Sequence, residues 1–495
     1  MIMTSRLRHC GTALAHSVAP RTWYKSLAIH PADAIFAPAI KVGIAASLVL
    51  VAGGLMGQQQ LAGVATLGAL TSAFGRYQPY RRLAPMLGIV AAAMLVTVGI
   101  GALLGAMGVP MAAQIAVLSL IAGLASHIFA AFRITGPGAV IMVFAAAAGA
   151  AYANSLAGVA PVVAALGIGA AVGWLAAMAP VLVNPLGPAR LAVARSITAV
   201  VRLATQFPAD ASHGGTHLGA ARAAVRGARG SVALSASSSF GSGSGTVRPA
   251  TVRARQRRQD AEALNLILNE VESVIATVGH ASSKSLALAL QRLWGYEHQL
   301  RTLRGKPSAG ARPGSSPATG PQEPRNFWRT AGAGLRSRAS TSQALRMAGA
   351  SALSGWAAVG LGLDHPLWAS MGAVAALQGL NYGHTVQRGI QRLLGNVIGA
   401  VLAIALLSLS LSFWPSVALV IVFQVLAELL VMKNYTLTTI AVTPMALIMT
   451  GLGSHLGPAA AFSRVADTLV GVVIGVLVAA VSIPLADHHH LPKVP

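Results

Sequence analysis

Cysteine, charge and acid are all scarce in this chain of 495 residues. The single cysteine, Cys10, excludes an internal disulfide and any metal site built on paired cysteines. Charged residues make up 10% of the chain, where a water-soluble globular protein carries about a quarter, so an ordinary solvated surface is excluded. No GxxxxGK[ST] loop occurs, which excludes a P-loop ATPase within this chain. Neither a Ser/His/Asp pattern nor zinc spacing appears, and "DHHH" at 487–490 is too short to hold a metal. No enzyme, cofactor or metal is therefore expected. The start, "MIMTSRLRHCGTALAHSVAPRTWYKS", lacks the apolar core of a secretory signal. Its basic, acid-free composition suits a transit peptide, but equally a bacterial cytoplasmic tail, which is the reading preferred here.

What is present is apolar. Hydrophobic residues reach 55% and mean hydropathy is +0.65. Long uncharged runs rich in Ala, Leu, Val and Gly fall in two blocks, and about 20 such residues cross a ~30 Å hydrocarbon core. Period-2 alternation is missing, so the runs read as helices rather than barrel strands. The fold class expected is all-α and polytopic, with about twelve spans. Six lie at 39–57, 61–75, 83–107, 111–131, 134–153 and 156–183, and six at 344–363, 366–381, 393–413, 414–432, 435–453 and 464–486. The formal charge of +24 is then explained by placement. Arg76, Arg81, Arg82, Arg133, Arg388, Arg392 and Lys433 fall in turns on one side, with Arg464 alone at the other, as the positive-inside rule requires. Nucleic acid is not an expected partner; the lipid bilayer is.

The blocks resemble each other. "RRLAPMLGIVAAA" (81–93) aligns with "QRLLGNVIGAVLA" (391–403), and Gly169 and Gly173 align with Gly471 and Gly475. Six spans per block make the two repeats parallel, related by an axis along the membrane normal. The expected organisation is a basic cytoplasmic tail (1–37), a first six-helix repeat (38–185), a cytoplasmic insert (186–343), a second repeat (344–486) and a short cytoplasmic tail (487–495). Within the insert, 188–207, 258–279 and 283–303 have helical periodicity. The Ser, Gly and Pro rich stretches 231–245 and 305–324 read as linkers.

In the second block, "GLDHPLW" (362–368), "QRGIQRLLGNVIG" (387–399) and "SRVADTLVGVVIG" (463–475) resemble the integral membrane bound transporter-like domain of the FUSC family, named for fusaric acid resistance. Arg464, Asp467, Thr468 and Gly471 match that family's last span, while Asn396 stands where many members have Thr. The first block is a weaker copy. The resemblance implies a multi-pass protein of a bacterial inner membrane, related to the aromatic acid exporters, some of which work with a periplasmic adaptor. A homo-oligomer is equally open.

Ionisable side chains within helices are the informative ones, because each costs at least a few kcal/mol in lipid unless it faces protein or water. Glu428 and His127 hold matching places in the fourth helix of each repeat and are the candidates for proton coupling, with interfacial ion pairing as the plainer role for Glu428. Arg388 and Arg392, one turn apart, and Arg82, which aligns with Arg392, are candidates for binding an anion, or else lipid anchors. Gln378, Asn381, Tyr382, Thr439 and Thr443 supply the polar wall, although Thr in membrane helices often bonds its own helix. Arg464 and Asp467, spaced i, i+3, are expected to pair at the outer end.

The sequence thus points to a transporter exporting small organic anions, aromatic carboxylates first, driven by protons. A passive anion channel and a membrane scaffold with a basic insert are the alternatives. Both termini are expected in the cytoplasm. Reporter fusions at Ser242 and at the C-terminus should report cytoplasm, and one at Gln59 the outside; an external Ser242 sinks the topology.

Overall fold

The computed structural model describes residues 2–29, 36–206, 214–236, 252–278, 283–302, 327–379, 381–452 and 459–482. No strand occurs among them. Helices α1 (Ile2–Val18) and α2 (Pro20–Ser26) precede the first apolar block. That block comprises α3 (Phe36–Leu55), α4 (Gln59–Ala69), α5 (Tyr80–Ala106), α6 (Met111–Ala131), α7 (Val140–Tyr152) and α8 (Leu156–Met178). After the short α9 (Pro180–Val183) come α10 (Gly187–Gln206), α11 (Gly214–Ala236), α12 (Val252–Thr277) and α13 (Ser283–Thr302). The second block follows α14 (Phe327–Leu335) and comprises α15 (Arg338–Gly360), α16 (Pro366–Leu377), α17 (Tyr382–Ser408), α18 (Phe413–Leu430), α19 (Tyr435–Gly451) and α20 (Ala459–Val481).

Among the described residues, seven helices are long and apolar enough to cross a membrane: α3, α5, α6, α17, α18, α20, and α8 taken together with α9. Three more, α7, α16 and α19, are apolar but shorter. The exposed side chains of the long helices fit lipid. Ile40, Ile44, Leu48, Val51 and Leu55 form a bare stripe down α3, as Leu469, Val473 and Leu477 do on α20. Such stripes, costly in water, are the natural outer surface of a helix solvated by acyl chains.

The chain divides into two compact units. The first comprises residues 1–76, 86–177 and 328–495, and so contains most of both apolar blocks. Here the blocks brace each other crosswise: α6 packs on α15, and α18 packs on α3. Within each block the last helix packs on the second through small residues. A Cβ on Gly169 or Gly173 would strike the backbone at Ala65 or Ala69, and one on Gly471 or Gly475 would meet the backbone at Ala369 or Ala373. Without a side chain at these positions the helices approach to backbone contact, where dispersion accumulates in the absence of a hydrophobic drive.

The N-terminal segment, expected as a plain tail, is two helices packed on this unit, α1 on α20 and α2 on α17. Tyr382 donates its hydroxyl to Ala13 O (2.8 Å), and Gln391 Nε2 donates to Ser26 O (2.8 Å). Asn434 Nδ2 donates to Ser26 O (3.1 Å) and Ala28 O (3.0 Å). Ser26 is the last residue of α2 and Ala28 follows it, where backbone carbonyls lack helical partners.

The second unit, residues 77–85 and 178–327, is a bundle of α10 to α13. Val193, Ile197, Val225, Leu264, Leu268 and Val271 sit in its core. Arg229 clamps Glu272 with two hydrogen bonds, of 2.7 and 3.0 Å. α11 runs on to Ala236, so residues 231–236 of the expected linker are helix, held by Val232 in that core. The rest of that linker, residues 305–324 and the tail 487–495 lie outside the described residues.

Close approach at Gly471 predicts a steric test. Gly471→Leu should cost about 1–3 kcal/mol and lower the thermal midpoint of the detergent-solubilised protein, because the obstacle is backbone. Gly88→Leu should not, since a Cβ there meets nothing within 4 Å. Equal midpoints for the two variants would contradict the packing.

Candidate functional site

α17 begins at Tyr382, earlier than the span expected from 393, because Asn381 caps it: its Oδ1 accepts from His384 N (2.9 Å). Arg388 and Arg392 therefore lie inside a helix rather than in a turn. Arg388 donates to Ala375 O and to Gln378 Oε1, both at 3.3 Å, and its guanidinium lies 4.4 Å from the Tyr435 ring centre. Arg392 donates through Nη1 to the Tyr435 hydroxyl (3.2 Å). Its Nε is buried without an acceptor, as is the Nε2 donor of Gln378.

One turn further along α17 the polar groups continue. Asn396, 1% exposed, donates to Thr468 Oγ1 (3.1 Å), and its Oδ1 lies 2.6 Å from the Thr443 hydroxyl, which is also 2.9 Å from Thr439 O. Thr439 bonds its own helix at Tyr435 O (2.9 Å). Close packing makes this possible, since a Cβ on Gly395 or Gly399 would overlap Thr439 or Thr443.

Towards the far end stand Asp467 and Arg464, 0% and 7% exposed. No ion pair joins them. The Arg464 guanidinium lies 4.9 Å from the Trp368 ring centre, and His365 stacks on the same indole at 4.3 Å. Both Asp467 oxygens are buried without a hydrogen-bond partner, and so is Arg464 Nε. At the helix turn, exposed Asp364 accepts from Ser463 Oγ (2.8 Å). Burial pushes the His365 imidazole below its usual pKa; Asp364 opposes that shift and Arg464 adds to it. A polar column thus runs between α16, α17, α19 and α20, from Asp364 through Asp467 and Asn396 to Arg392, Arg388 and Gln378.

Glu428 and His127 lie outside this column. Glu428, 6% exposed, accepts from Arg76 Nη2 at 2.6 Å, and Lys41 of α3 adds a second attraction. His127 is bonded by Ser340 Oγ (2.9 Å at Nδ1) and lies 3.1 Å from Leu335 O at Nε2. Glu428 of α18 is therefore tied to the turn after α4 and to α3, and His127 of α6 to α14 and α15; no bond connects the two side chains. Arg82 belongs to the second unit. Tyr382 is spent on Ala13, and Asn381 on its cap. Reading the sequence did not single out Trp368 or Tyr435 as site residues, nor Asn396 as more than a family departure. Aromatics at helix ends are too common in membrane proteins to stand out.

Residues 350–478, which hold the whole column, match the family described as fusaric acid resistance protein-like. That match covers about a quarter of the chain. Over 123 residues, 24% of this chain, the protein is 33% identical to the uncharacterized membrane protein YvaC of Bacillus subtilis (strain 168). The match spans about a fifth of that relative's length (19%). No solved structure matches. A fusaric acid resistance protein-like segment among membrane-crossing helices suggests a transporter-like role.

The buried Arg76–Glu428 pair yields a stability prediction. Arg76→Met strands a carboxylate and should cost about 3–5 kcal/mol. The double variant Arg76→Met/Glu428→Met should recover part of that, because it removes the stranded carboxylate but leaves Lys41 without its counter-charge. Additive losses in a double-mutant cycle of thermal midpoints would mean that the two side chains do not act as a pair.

Proposed function

We propose that the protein is an inner-membrane transporter for small organic anions, aromatic carboxylates foremost, that exports them with protons as the coupling ion. The observation that carries this reading is the buried Arg392 Nε–H without an acceptor, beside Arg388 and Tyr435 in a column of hydrogen-bond donors. A guanidinium held this way offers its planar fork to a carboxylate at little reorganisation cost. Rings of similar size to Tyr435 and Trp368 would accompany the carboxylate, which favours aromatic acids over short aliphatic ones.

The same proposal takes the membrane part as twelve spans in two parallel repeats. The crosswise α6–α15 and α18–α3 packing and the matched glycine contacts support that arrangement. Both termini and the bundle of α10 to α13 are then cytoplasmic, which puts Arg388 and Gln378 at the inner end of the column and Asp364 at the outer end.

Proteoliposomes loaded with a panel of aromatic carboxylates test the reading. Arg392→Lys should slow efflux at least several-fold at matched protein level, because ammonium lacks the fork, with Arg388→Lys milder. Wild-type efflux by Arg392→Lys would return the arginines to lipid anchoring.

A further inference from the structure

Asp467 is the one carboxyl group of the column placed wholly inside it. It is 0% exposed, and among the described residues neither oxygen has a hydrogen-bond partner. An ionised carboxylate in such a place pays a desolvation cost that ordinarily drives the group to its neutral form. Its natural counter-charge, Arg464, stands one turn away on the same face of α20 but is turned onto Trp368. Glu428, by contrast, already has its guanidinium.

The charged surroundings of Asp467 can be taken element by element. On α20 there is Arg464, and in the turn before α16 there are Asp364 and His365; Arg464 is coupled in turn to Arg392 of α17 and to the hydroxyl of Tyr435 on α19. α15 carries no ionisable residue between Arg346 and its end at Gly360. α1 meets α20 at the other end, where Cys10 Sγ donates to Ala480 O (3.3 Å).

Resting on the organic-anion reading above, we infer that Asp467 is a proton-binding site whose occupancy decides whether Arg464 is free to hold the transported anion. With the proton on, Asp467 is neutral and Arg464 keeps its full charge beside Arg392. With the proton off, Asp467 becomes the internal anion that Arg464 turns towards, and an incoming carboxylate meets a neutralised pair. Proton and anion thus bind in concert, and by linkage each strengthens the other by the same factor. The Asp364–Ser463 hydrogen bond lies at the exposed end of the same column, where a proton leaving Asp467 would reach solvent.

Two measurements on the full-length protein in lipid test this. Infrared difference spectra recorded between about pH 5 and pH 9 should contain a protonated-carboxyl C=O band that Asp467→Asn removes and Asp467→Glu shifts but keeps. An unchanged band in Asp467→Asn overturns the proton site. Benzoate affinity, measured by calorimetry from about pH 6 upward so that the probe stays ionised, should weaken about tenfold as pH rises in wild type. In Asp467→Asn, a permanent mimic of the protonated group, it should stay tight throughout. Wild-type affinity that is constant or rises with pH overturns the coupling. No benzoate binding by either protein would count against the organic-anion reading alone, and the infrared comparison would still decide Asp467.

Discussion

Hydrocarbon offers no hydrogen bonds, and every other feature of this fold answers to that constraint. Backbone groups are satisfied inside helices, so the described membrane part is helical throughout. Apolar side chains gain nothing by leaving lipid, so helices associate through backbone contact at Gly169, Gly173, Gly471 and Gly475 rather than through large interlocking residues. Polar side chains must find one another, which gathers Asn396, Thr443 and Thr468 into a single buried chain of hydrogen bonds.

The two buried carboxyl groups respond to the constraint in opposite ways. Glu428 is compensated: Arg76 comes from the turn after α4, and Lys41 from α3, so the negative charge is held between elements of the other block. That arrangement suits a brace, because moving either element would expose an unpaired charge at a cost of several kcal/mol. Asp467 has a guanidinium within its own helix that stacks elsewhere. A carboxyl group whose one nearby guanidinium is held elsewhere suits a switch, since a small change in charge selects between the arrangements.

Much of the architecture was legible in the sequence, because hydropathy and cation placement follow directly from the bilayer. The helical class, the positions of the apolar segments and the family of residues 350–478 could all be read in this way. Partners were harder to read. Arg76 and Glu428 are far apart in the chain, and nothing local distinguishes Arg76 from Arg81 as the residue that turns inward. The spacing of Arg464 and Asp467 permits a pair, but spacing does not reveal that Trp368, from a different helix, competes for the guanidinium. The N-terminal helices were missed because α2 is held by side chains of α17 and α19, Gln391 and Asn434, rather than by any pattern of its own.

Co-binding of proton and anion bears on the direction of transport. A site filled by both carries a neutral acid, so the electrical potential across the membrane neither helps nor hinders the loaded step. Outward movement then follows the accumulated substrate and its accompanying proton together, and a steep inward proton gradient works against it. On the proposed linkage, export runs when the organic acid builds up inside and stops when it does not. A strict exchanger would need proton and anion to compete for one place, whereas on the proposal a neutral Asp467 leaves the charge of Arg464 to the anion, which is the opposite linkage. On that proposal Arg464 and Asp467 make outward transport follow the substrate's own accumulation, with the proton leaving beside it.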